Sequence, residues 1–215
     1  GDVDVVDLYY SEINDEVISL ESNDTSTLIV SYDSTTGSVN YKYSTDDTPY
    51  YGSINEDDNG NLVLAYSDYL DASDNYVAKA YDFDSNSITQ KYSVNDGDIR
   101  DIKVTETGSF VYANVDTDKT KYLDSSGNLE WEKNYEARNL LYDGEHIYIE
   151  EYTGNYQSDY HKINLESGTT DWTVNHVNTN EWASVDDGIL INDGDTRDKL
   201  YLIDKSDGSI SNSYS

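Results

Sequence analysis

The chain has no cysteine, no methionine, one proline, two phenylalanines and only 13 lysines and arginines in 215 residues. Without cysteine no disulfide can staple a small core, and the redox state of the surroundings leaves no mark. Without methionine, Gly1 is not a native start, so the chain is expected to be processed, cut or partly represented; no signal peptide is visible at Gly1. No apolar run approaches the roughly 18 residues that carry a helix across a bilayer. Nothing sustains a 3.6-residue apolar period, so helix is expected to be minimal. Cations are scarcest at the start, where the first basic residue is Lys42.

What is present is acid: 44 Asp and Glu, for a formal net charge of −31. Such a charge opposes compaction by self-repulsion. At ~0.1 M salt the screening length is about 10 Å, and at molar salt about 3 Å, where the repulsion largely vanishes. Acid spread through every segment, with lysine suppressed, resembles proteins of extreme halophiles, notably haloarchaea and their viruses. Nucleic acid and membrane insertion are therefore not expected, since phosphates and anionic headgroups repel this surface. Regular apolar runs persist to the end of the chain, which argues against a disordered acidic polymer.

Those runs repeat. YDSTTGSVNY, YDFDSNSITQ, LDSSGNLEW, INLESGTTDW and LIDKSDGSIS share a turn residue at Gly37, Asn86, Gly127, Gly168 and Gly208. A period near 41, with one insertion, marks an array or a propeller. Between these turns lies a second marker, a polar turn followed by a short apolar run: NDEVISL, DDNGNLVLAY, ETGSFVYANV, YDGEHIYIE and VDDGILIN. Each unit then reads as four short strands joined by Gly, Asn, Asp and Ser turns. In NLVLAY, Leu62, Leu64 and Tyr66 point one way and Val63 and Ala65 the other, so both faces are apolar. A sheet covered on both sides needs two neighbours, as radially packed blades provide.

The unit hhxhDxxxGxhxW, complete with its Trp only at Trp131 and Trp172, resembles the repeat of PQQ-like β-propellers, the family of quinoprotein dehydrogenases and non-enzymatic relatives. The resemblance covers nearly the whole chain and implies an all-β propeller of about five four-stranded antiparallel blades. It also implies that the Asp and Gly close a hairpin and that the Trp packs between blades. The expected blades are 8–44, 45–94, 95–135, 136–176 and 177–215, a single domain. Residues 1–7 are expected as an extra outer strand, either clasping the ring or belonging to another blade.

Candidate site residues are few. Asn55, Asp57 and Asn59 before Gly60 match the opening of a calcium loop, and Ca²⁺ or Mg²⁺ is the only cofactor suggested; Tyr66 at the twelfth position cannot supply the usual bidentate carboxylate. NDGDIRD and NDGDTRD place Arg100 and Arg197 near carboxylates but at different points of the repeat. His146, His161 and His176 all fall in the fourth unit, yet hairpin register pairs His146 near Ile163 and keeps them apart. No catalytic signature emerges. Twenty-two tyrosines suggest aromatic packing with a wet end, and Tyr50, Tyr51 and Trp182, beside connections, are the expected exposed aromatics.

The function expected from all this is a non-enzymatic recognition or structural module adapted to high salt. Its expected setting is a haloarchaeal cell surface or a virion spike or tail, and its partner a protein or glycan. The competing expectations are a carbohydrate-active five-bladed enzyme, with inner-strand carboxylates converging in a closed pocket, and an assembly scaffold.

Overall fold

The computed structural model describes residues 3–23, 26–46, 49–69, 76–84, 87–155, 157–177, 179–186, 188–193 and 200–214. Five four-stranded antiparallel sheets stand in a ring, a five-bladed β-propeller, with no helix among the described residues. Blade 1 holds β1 (Asp4–Ser11), β2 (Glu16–Asn23), β3 (Ser26–Asp33) and β4 (Val39–Thr45); blade 2 holds β5 (Pro49–Glu56), β6 (Leu62–Tyr69), β7 (Tyr76–Asp84) and β8 (Ser87–Gly97). Blade 3 holds β9 (Ile99–Val104), β10 (Phe110–Asn114), β11 (Lys119–Leu123) and β12 (Leu129–Lys133). Blade 4 holds β13 (Ala137–Tyr142), β14 (His146–Gly154), β15 (Gln157–Asn164) and β16 (Thr170–Val177). Blade 5 holds β17 (Thr179–Val185), β18 (Gly188–Asp193), β19 (Leu200–Asp204) and β20 (Ile210–Tyr214).

Each sheet runs in chain order, and β1 touches β5, β5 touches β9, and β9 touches β13, so the first strand of each of these blades is innermost. Every first strand carries a bulge one or two residues in, where Val6, Tyr50, Arg100, Arg138 and Asn180 are passed over in the pairing. An extra residue at the same point tightens the twist of each inner strand alike.

Alternation gives each middle strand two apolar faces, and each face packs on a different neighbour. Ile18, Leu20 and Ile29 of blade 1 meet Ile54, Leu62, Leu64 and Tyr66 of blade 2. Val63, Ala65, Ala78 and Ala80 on the other side of blade 2 meet Ile99, Ile102, Phe110 and Tyr112 of blade 3. Similar clusters join blade 3 to blade 4 and blade 4 to blade 5. Among the described residues no apolar cluster joins blade 5 to blade 1.

The tyrosines act as core residues with polar tips. Tyr112 is buried and its hydroxyl donates to Asp96 at 2.6 Å; buried Tyr148 donates to Asp143 at 2.7 Å. A hydroxyl at the end of a buried ring must find such an acceptor.

Two expectations need correction. Asp4–Asp7 is no extra outer strand: it opens β1, the innermost strand of blade 1, pairing Val5 with Glu21 and Asp7 with Leu20. The bulge between Val5 and Asp7 lets one strand run through a stretch that sequence spacing assigned to two. In blade 4 the pairing is His146 with Asn164 and Ile147 with Ile163, one residue from the expected register. The turn at Asn86 and most of NDGDTRD, including Arg197, lie outside the described residues.

Candidate functional site

The turns at the ends of β3, β11, β15 and β19 show what the repeated Asp and Gly do. In the third blade, Asp124 accepts from the amides of Ser126 and Asn128 at 2.8 Å, while the Gly127 amide donates to the Asp124 carbonyl at 2.9 Å. The Asn128 side chain, followed by these amides, holds the Asp124 carboxyl below the usual carboxylate range. Asp33 and Asp204 repeat the arrangement, their carboxyls lowered chiefly by the hydroxyls of Thr36 and Ser206. Asn164 takes the same place in blade 4.

The glycine serves a second purpose. Gly168 has φ +66°, and a Cβ there would lie 2.8 Å from the Trp131 ring; Gly208 has φ +74°, and a Cβ there would lie 2.9 Å from Trp172. The outer-strand indole of one blade thus packs against the turn of the next. Its Nε1 donates to the carbonyl three residues before that glycine: Trp131 to Leu165 at 2.7 Å, Trp172 to Lys205 at 3.1 Å. In blade 2 the Tyr92 ring packs on Gly127 in the same way, but its hydroxyl donates to the Gly108 carbonyl at 3.2 Å.

At one mouth of the axis, β1, β5 and β9 open a cavity of about 440 Å³ lined by Asp4, Val5, Tyr50, Tyr51, Asp101 and Lys103, among others. Tyr50, the passed-over residue of its bulge, is 62% exposed and stands edge-on to half-buried Tyr51, ring centres 5.5 Å apart. The two tyrosines singled out from sequence therefore meet at a cavity. Trp182 does not join them. It occupies the β17 position that faces blade 4 and packs on Tyr160, centroids 5.4 Å apart, so the expectation of an exposed aromatic fails there.

Two inner-strand carboxylates, Asp7 and Asp101, hold blades together. Asp7 on β1 accepts from the Ile54 amide of β5 at 2.9 Å. Asp101 on β9 accepts from the Leu140 amide of β13 at 2.7 Å and from its neighbour Ile102 at 2.7 Å, with Lys103 at 3.4 Å. Burial pushes both carboxyls up, opposed at Asp7 mainly by the Ile54 amide and at Asp101 mainly by Lys103. Sequence reasoning missed these locks; the signal was an Asp two or three residues past the start of an inner strand.

Asn55 and Asp57 of the calcium-loop stretch hold partners within the protein. Asn55 spends its amide on the Val104 carbonyl of blade 3 and its oxygen on the Glu56 amide. Asp57 accepts from Asn59 and Asn61 amides at 2.9 and 2.8 Å, closing a hairpin. His161 lies between Thr173 and Glu151, each at 2.9 Å, and stacks on Tyr135; His146 reaches Asp171 at 3.3 Å. Among the described residues no three His, Asp or Glu gather as for a metal.

No protein-family model and no curated protein matches this chain. Solved structures do. BamB from Moraxella catarrhalis aligns over 99% of the chain and 64% of its own length, at 15% identity and TM-score 0.57. A protein from Lactobacillus plantarum aligns over 98% and 71%, at 14% identity and TM-score 0.63. The Cps50 (Swd1) β-propeller domain of Myceliophteria thermophila aligns over 98% and 85%, at 10% identity and TM-score 0.55. The chain thus spans under two thirds of BamB's length, and at these identities the likeness is one of fold.

Proposed function

We propose that this chain is a non-enzymatic recognition or structural propeller of the PQQ-like type, working in high salt outside a haloarchaeal cell or on the particle of a haloarchaeal virus. It would present the Tyr50 mouth to a protein or glycan. The observation that carries the reading is the division of labour at that mouth. Of the two carboxylates lining it, Asp4 and Asp101, Asp101 is tied to two backbone amides, which leaves Asp4 on the rim, while Tyr50 stands exposed over the cavity. A glycoside hydrolase needs one carboxyl left to protonate and another left to attack or activate water; carboxylates spent on amides serve rigidity instead. A rigid aromatic gives large contact area at low entropic cost. Bridging Ca²⁺ or Mg²⁺ would offset acid at the contact.

The test is site-specific photo-crosslinking in the native particle or envelope at 2–3 M KCl, with benzoylphenylalanine at position 50 and, as control, at exposed Leu129 on the outer rim. The expected result is a discrete adduct from position 50 and none from 129. Equal labelling at both, or Asp101-dependent turnover of an oligosaccharide panel, would overturn the reading.

A further inference from the structure

The few cations of this chain are not spread evenly through its acid. Arg100 on β9 and Arg138 on β13 are each the residue that the bulge of an inner strand passes over, the point that Tyr50 holds on β5 and Val6 on β1. With 44 carboxylates in the chain an arginine has acid to pair with almost everywhere, yet among the described residues neither guanidinium meets one. Arg138 lies over the Tyr152 ring, 3.6 Å from its centre, a contact that holds the charge in place without neutralising it. Arg100 acts on the mouth: burial pushes the Tyr51 hydroxyl up, and the Arg100 charge is the main influence opposing it. Lys103 lines the cavity with the two tyrosines and turns one of its three donors to Asp101 at 3.4 Å. The acid of this mouth is Asp4, exposed on the β1 wall, Asp98 near Tyr51, and Asp101, already held by two amides. The β9 side of the cavity therefore carries two cations against Asp98, a positive spot on an acidic molecule.

We propose that this mouth binds a sugar carrying a single oxyanion, a carboxylate or a sulfate, on an otherwise neutral glycan. The inference rests on the recognition reading of the Tyr50 mouth and names its ligand. Each part of the ligand answers to a part of the site. Arg100 offers a planar fork of donors that matches an oxyanion bidentately, and Lys103 adds a point charge. The exposed Tyr50 ring, held edge-on against Tyr51, gives the apolar C–H side of a sugar ring a rigid surface to cover. The cavity of about 440 Å³ falls among small-ligand sites, about 300–1,000 Å³, and is closed to the convex surface of a folded protein. An Asp or Glu of a protein would reach Arg100 only by its tip and leave the Tyr50 ring uncovered. Charge limits the ligand to one anion: beyond this spot a chain of −31 repels every further one, so polyuronates and nucleic acids fit poorly.

The experiment is an NMR titration of the labelled chain in about 2 M KCl, where long-range repulsion is screened, with aldotriouronic acid, one glucuronate on two neutral xyloses. Saturable shifts are expected at the Tyr50 and Tyr51 amides and at the Arg100 side-chain N–H, and neutral xylotriose should bind about tenfold or more weakly. Arg100→Gln should lose the same factor and Arg100→Lys less. Lys119→Gln, which removes a cation from β11, should lose nothing, and the amide spectrum of each variant checks its fold. Glucuronate and glucose 6-sulfate, compared as single sugars, name the oxyanion by which binds more tightly. No shift at about 10 mM sugar overturns the ligand, and a crosslink from position 50 would then leave the recognition reading standing. Equal affinity for xylotriose, or an affinity that ignores Arg100→Gln, overturns the role of the oxyanion. N-acetylglutamate methylamide binding as tightly as the trisaccharide would give the mouth to a protein's acid and overturn the sugar. Saturable sugar binding with no adduct from position 50 would spare the site and fault only its placing in the particle or envelope.

Discussion

At the scale of single residues, the Trp–Gly contact does two jobs whose costs can be separated. Trp131 stacks on Gly168 and donates to Leu165. Truncating it to Ala removes both and should cost about 3 kcal/mol. Trp131→Phe keeps the stack, loses the N–H donor, and should cost about 1 kcal/mol. The glycines give the complementary measurement. Gly37→Ala meets open space, so only the positive φ is penalised, about 1 kcal/mol. Gly168→Ala meets the same backbone penalty and drives a methyl into the indole, adding about 2 kcal/mol of overpacking. Urea unfolding of the four variants checks the set; equal losses at Gly37 and Gly168 would mean that the ring does not define the turn.

At the scale of elements, the strand periodicity and the repeat were legible because they are local. Asp33, Asp124 and Asp204 mark turns by chemistry that needs only nearby amides, and Leu62–Tyr66 announces two apolar faces through alternation alone. Which neighbour covers each face was not legible. Val5, Leu8 and Tyr10 read in sequence much as Ile99, Ile102 and Val104 do, since hydrophobicity records what a strand can bury and not what it meets. Trp182 failed as a surface aromatic for the same reason: beside a connection by sequence, it faces a filled junction in space. Tyr50, beside a connection and next to the proline, was legible as an exposed aromatic: it is 62% exposed, with Tyr51 at its edge. The unequal faces make a direct prediction. Leu8→Ser should change stability by less than about 0.5 kcal/mol, as at other exposed sites. Ile102→Ser, at the same register in blade 3, should cost about 4 kcal/mol through a cavity and a buried hydroxyl. Comparable losses in denaturant melts would show that the first blade's face is covered in solution.

At the scale of the whole molecule, four filled junctions must hold a ring against its own charge. Few cations help: Lys79, Lys119 and Lys121 each sit within 2.8 Å of one carboxylate, while other acids are held by amides and hydroxyls that bring no positive charge. Like charges facing across strands cost a few tenths of a kcal/mol each; Glu16 opposite Asp33 and Glu151 opposite Asp159 are such pairs, and the net charge of −31 adds longer-range repulsion. Screening should raise the Tm by about 2–4 °C for each kcal/mol so recovered in a domain of this size. The shape of the rise identifies its cause. Screening is nearly complete once the Debye length falls to about 3 Å near 1 M, whereas salt-strengthened apolar burial keeps growing with concentration. In KCl from 0.1 to 3 M, the Tm should therefore climb steeply below about 1 M and more gently above. A flat curve would remove the halophilic setting altogether. A strictly linear one would assign the gain to the apolar junctions, and the acid would then serve solubility in brine while the packing between blades set the stability.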